Sequence, residues 1–110
     1  MRYTQWEIVL ACDAVLDEIR SLSADIQARY LRLTDIIEEH GPQALGMPHV
    51  KPLEKGLWEL RLTGKDGIGR VLYIASTGKR VIILHAFVKK TQKTPRKAID
   101  TALRRLKEFV

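Results

Sequence analysis

Apolar residues recur along the chain at two different periods, and the switches between them divide it into elements. YTQWEIVLA, residues 3–11, is rich in β-branched and aromatic residues and predicts a first strand. From Asp13, which can cap a helix, Val15, Leu16, Ile19 and Leu22 follow helical spacing. Ser23 offers a second cap, and Ile26, Tyr30, Leu33 and Ile37 then form one stripe. Gly41 and Pro42 stop this helix near His40. Residues 13–40 therefore predict a helical hairpin with its acidic residues on the solvated face.

GPQALGMPHVKP holds three of the four prolines and predicts a loop. Strand patterns follow at LWELRL (57–62), RVLYIA (70–75) and RVIILHAFV (80–88). Their linkers, TGKDGIG and STG, are glycine-rich and short enough for antiparallel hairpins. Thr94-Pro95 supplies a capping hydroxyl and then a proline at the position where a helix accepts one. Ile99, Ala102, Leu103, Leu106 and Val110 form the apolar stripe of that terminal helix. The order predicts one α+β domain over 1–110: a small curved antiparallel β-sheet with an N-terminal helical hairpin and a C-terminal helix. No repeat or low-complexity tract interrupts it.

Charge adds what periodicity cannot. The 110 residues carry a net +6, but residues 1–48 hold four Lys/Arg against eight Asp/Glu, and residues 49–110 hold fifteen against five. Between Asp66 and Asp100 there are eight cations and no acid. Such segregation favours an anionic partner, with nucleic acid the first choice and a merely solubilising surface the alternative. The lone Cys12 allows no intrachain disulfide and reads as a small core or boundary residue in a reducing cytoplasm. No apolar run approaches the ~18 residues of a membrane span, so a soluble protein is expected, with no membrane partner.

Most catalytic signatures are missing. There is no HExxH, no Cys/His cluster and no GxSxG, so no metal or other cofactor is expected. GKDGIG lies between two strands and reads as a hairpin turn, not a nucleotide-binding loop. His40 ends a helix, His85 reads as a hydrogen-bonded core histidine, and His49 lies in an open loop. What remains is cationic. Arg61 projects with Glu59 from one face of its strand, Arg70 opens the next strand, and Lys89 and Lys90 close the last. Converging guanidinium and ammonium groups suit the charge that develops when a phosphodiester is cleaved. The alternative pairs Arg61 with Glu59 or Glu54 and leaves the lysines solvated; spacing alone does not choose.

KPLEKGLWELRL, GRVLY, IILHAFVKKTQKTP and a terminal AxxRxxxF helix resemble the RelE/ParE toxin superfamily, in particular the phage-derived HigB-like branch of bacterial toxin–antitoxin toxins. The similarity covers residues 51–109, and the first fifty match in layout. Gly69 departs from the aromatic that often precedes the arginine, and Ala86 from the usual glycine. The resemblance implies a RelE-like curved sheet with helices on one side. It also implies a ribosome-dependent mRNA endoribonuclease in which the ribose 2′-hydroxyl attacks the adjacent phosphate without metal. On that reading Arg61 and Arg70 stabilise the transition state, and Lys89 and Lys90 contact the backbone or transfer a proton. Lys51, His49, Lys93, Arg96 and Lys97 are further RNA-binding candidates. The implied partners are mRNA, the ribosome and a cognate antitoxin of helix-turn-helix type. A ParE-like DNA gyrase inhibitor and a non-catalytic RNA-binding module are the alternatives.

Overall fold

A computed structural model describes residues 5–89 and 93–109. Strand β1 (Glu7–Leu10) leads into helices α1 (Asp13–Arg20) and α2 (Ala24–His40), and a 3₁₀ turn follows at Pro42–Ala44. Strands β2 (Val50–Pro52), β3 (Trp58–Gly64), β4 (Gly67–Ser76) and β5 (Arg80–Lys89) then precede helix α3 (Arg96–Phe109). The sheet order is β1-β5-β4-β3-β2.

The helical hairpin and the three-strand meander form where periodicity predicts them. Gly41 ends α2 at φ 88°, a conformation that costs glycine little. The sheet differs from expectation in two ways. Strand β1 lies parallel to β5, so the sheet is mixed, although β2 to β5 are antiparallel throughout. The predicted loop also contains a short edge strand, β2, which places Lys51 opposite Glu59. Residues 5 and 6 precede β1, so the first strand is shorter than its composition suggested.

Helices cover both faces of the sheet, not one. Val15, Ile19, Ile26, Leu33 and Ile37 of α1 and α2 pack on Leu60, Leu62, Val71, Tyr73 and Ile83. On the opposite face Ala98, Ile99 and Ala102 of α3 pack on Leu72, Ile82 and Leu84. The alternation that makes this two-sided core also fixes which polar residues share the α3 face. Trp58 projects to the α2 side but is 37% exposed, and Cys12 is exposed at the N-cap of α1, so neither is a core residue. Cys12, not Asp13, holds that cap position because the helix begins at Asp13 itself.

Gly69 explains one departure from the family pattern. A Cβ there would stand 2.6 Å from Ile26 Cγ2, so α2 closes on β4 only because that position has no side chain.

Candidate functional site

The two arginines are direct cross-strand partners, Arg61 on β3 and Arg70 on β4. Both reach the same carboxylate oxygen. Arg61 Nε lies 3.2 Å and Arg70 Nη1 2.8 Å from Glu59 Oε1, while the Thr94 hydroxyl donates to Oε2. Glu59 is two residues before Arg61 and thus on the same face of β3. Its side chain is wholly buried, that of Arg70 is 1% exposed and that of Arg61 21%. A carboxylate taken out of water needs such a set of charged and hydroxyl donors. Arg61 thus pairs with Glu59, not Glu54. Arg70 does so too and sits beneath the surface, while Arg61 borders it. Thr94, expected to cap α3, instead ties the approach to that helix onto β3; α3 starts at Arg96.

Beside this cluster, β5 and α3 enclose a groove of about 440 Å³. Strand β5 lines it with His85, Phe87 and Lys89, alternate residues on the α3 face. Helix α3 contributes Lys97, Thr101, Arg104 and Arg105. Phe87 is also the cross-strand partner of Arg70, so the groove adjoins the arginine cluster on one sheet face. The His85 and Phe87 rings stack, with centroids 4.9 Å apart.

Two of the lining residues, His85 and Arg105, meet Glu18 of α1, a residue expected on the solvated face. Arg105 grips it with Nη1 and Nη2, each 2.9 Å from an oxygen. The Ala86 amide donates to it at 3.1 Å, and His85 Nδ1 lies 3.0 Å from Oε1. Burial alone would push the Glu18 carboxyl up, but hydrogen bonds from Arg105, Ala86 and His85 hold it below the usual range. Its carboxylate in turn raises the Arg105 guanidinium. His85 is thus hydrogen-bonded, as its position in an apolar strand suggested.

The other candidates divide. Lys89 and Lys97 both line the groove. Lys51 is half-buried on β2, and His49 is exposed, with its carbonyl accepting from the Arg61 amide at 2.8 Å. Lys93 is exposed. Arg96 is held by Glu54 and Asp100, whose hydrogen bonds raise its guanidinium further. Lys90 lies outside the described residues. Sequence reasoning missed Thr101, Arg104 and Arg105. Their signal was present: with Lys97 they recur at i, i+4, i+7 and i+8, the polar counterpart of the apolar stripe.

Among the described residues no cluster of three or more His, Cys, Asp or Glu is placed to hold a metal ion. None of their helices is long and apolar enough to cross a membrane. No curated protein matches the chain. Among solved structures it is similar to the archaeal RelE–RelB complex from Pyrococcus horikoshii OT3. The match has a TM-score of 0.57 at 24% identity and covers 76% of this chain and 94% of the other. At that identity the likeness shows the fold, which is RelE-like. The family described as phage derived protein Gp49-like (DUF891) matches residues 17–107, most of the chain. The chain therefore belongs to the phage-derived Gp49-like family, a family of RelE-superfamily toxins.

Proposed function

We propose that this toxin is a HigB-like, ribosome-dependent mRNA endoribonuclease that cleaves without a metal. The observation that carries the reading is the groove between β5 and α3, where Lys89, Lys97, Arg104 and Arg105 surround a stacked His85–Phe87 pair. Lys89, Lys97 and Arg104 fit a phosphate backbone, Arg105 being held by Glu18, and the aromatic pair offers a surface for a base. In the reaction the ribose 2′-hydroxyl gives up its proton and bonds to the adjacent phosphorus. The P–O5′ bond breaks, and the 5′-oxygen takes a proton. The products are a 2′,3′-cyclic phosphate and a 5′-hydroxyl. The protein's part is to place positive charge where the pentacoordinate phosphorus becomes most negative.

Roles follow from exposure. Arg61, at the border of the surface, and Lys89 in the groove contact the reacting phosphate, and Lys90 belongs with them by its place in the motif. Arg70, buried on Glu59, positions that carboxylate and through it Arg61. Lys97 and Arg104 hold the flanking backbone, with Lys51, His49 and Lys93 along the approach. Arg96 joins them only by leaving Glu54 and Asp100.

The cognate partner is a small antitoxin of helix-turn-helix type that covers the cationic face with an acidic segment. Support comes from the solved relative, which is a complex of RelE with RelB. Purified protein added to ribosomes carrying a defined mRNA should cut the transcript within the coding sequence. Intact transcript together with inhibited DNA supercoiling would point to the gyrase reading instead.

A further inference from the structure

Among the described residues, His85 has partners at one ring nitrogen, Nδ1, and none at the other. Nδ1 lies 3.0 Å from Glu18 Oε1, and a carboxylate accepts hydrogen bonds without donating them. The proton of the neutral ring therefore sits on Nδ1. Arg105 Nη1, 3.3 Å from Nδ1, is then a second donor nearby and not its partner. Glu18 is immobilised by Arg105 and by the Ala86 amide, and Arg105 is itself anchored on the Leu84 carbonyl at 3.1 Å. Phe87 fixes the ring plane. Three elements, α1, β5 and α3, thus hold one side of the imidazole. Nε2 is the nitrogen that Glu18 and Arg105 leave available, on a side chain that is 16% exposed and lines the groove. A structural histidine needs one good partner; this one has a carboxylate orienter and, among the described residues, a second ring nitrogen without a partner beside the groove cations.

We infer that His85 Nε2 is the general base of the cleavage reaction and that Glu18 is its positioning residue. The inference rests on the nuclease reading above. His85 Nε2 takes the proton of the 2′-hydroxyl as the 2′-oxygen bonds to phosphorus. As the P–O5′ bond breaks, the 5′-oxygen takes a proton from the Lys89 ammonium. The imidazolium then returns its proton to that amine through solvent, and both groups are reset. The Glu18 carboxylate stabilises the transient imidazolium and keeps the ring in the tautomer that exposes a basic nitrogen.

His85→Asn is the informative variant, because an asparagine amide can still donate to Glu18 while Nε2 is removed. Single-turnover cleavage of mRNA on programmed ribosomes should fall about 10²–10⁴-fold. Ribosome binding and Tm should stay close to wild type. The wild-type rate should rise with pH along a limb that His85→Asn lacks. Lys89 on β5 and Lys97, Arg104 and Arg105 on α3 share the groove with the ring, so they and Glu18 all influence where the limb falls. Its loss on removing Nε2 reports the ring itself. Glu18→Gln should displace the limb and lower the turnover rate more than the affinity. A His85→Asn protein that cleaves within about threefold of wild type, or keeps the wild-type limb, overturns the inference and leaves the nuclease reading standing. A wild-type protein that leaves ribosome-bound mRNA intact overturns both.

Discussion

Arg70 Nη1 lies 2.8 Å from Glu59 Oε1, and neither side chain is more than 1% exposed. An arginine predicted to meet phosphate is thus part of the interior. Deleting it takes the nearer of two guanidinium partners from a wholly buried carboxylate. Arg70→Ala should lose about 3–5 kcal/mol of stability, a fall in Tm of roughly 10–20 °C. Thermal unfolding followed by circular dichroism checks this, and a Tm within a few degrees of wild type would mean the pair is not buried as described. The sequence alone marked this arginine as a catalytic contact; its first readout is folding.

Groove cations should behave differently, because their heads are where an RNA backbone would run. Lys89→Ala and Arg104→Ala should each weaken binding to a short single-stranded RNA with little change in Tm. If about four phosphates are contacted, log affinity should fall against log salt with a slope near −3, and each deletion should reduce the slope by about 0.7. Fluorescence anisotropy across a salt series measures it. Lys65→Ala, in the β3–β4 turn, should leave the slope unchanged.

Acid should release Glu18. Its carboxyl is held below the ordinary value of 4.5, so it binds fewer protons in the folded chain than in the unfolded one. Its contribution is fully present above that value and is lost as pH falls through the lower, folded one. Asp25 acts in the same direction at the surface, through the Ser23 hydroxyl and the Lys65 amide. In a Tm series taken downward from pH 6, Glu18→Gln should show a shallower decline than wild type below about 4.5. Parallel curves would contradict this.

Close packing of α2 on β4 predicts a coupled pair. Gly69→Ala should destabilise by roughly 1–3 kcal/mol through overpacking against Ile26. Ile26→Ala, which removes the obstructing Cγ2, should absorb part of that cost, so the double variant should be less destabilised than the two single changes added together. Strict additivity in denaturant unfolding would show that the two positions do not touch.

Local periodicity made α1, α2, α3 and the β3–β5 meander legible, because each buries a continuous apolar face. Strand β2 was not: three residues ending in proline carry no pattern, and only pairing with β3 defines them. The parallel contact of β1 with β5 was equally hidden, since it joins residues more than seventy positions apart. At the candidate site, the sequence singled out Arg61, Arg70, Lys89 and Lys97 but not which of them is buried. A charged residue looks the same in a string whether it meets solvent or a buried partner. Glu59 separates the two arginines, from the same strand as Arg61 and from the strand beside that of Arg70. The stripe from Lys97 to Arg105 was readable, but apolar spacing on the same helix drew attention to the other face.

The most direct test of the account is mapping the ends of an mRNA exposed to this protein on and off the ribosome. Cuts within the coding sequence should occur only with ribosomes present and should leave 5′-hydroxyl and 2′,3′-cyclic phosphate ends. Uncut mRNA on programmed ribosomes, or ends carrying a 5′-phosphate, would contradict it.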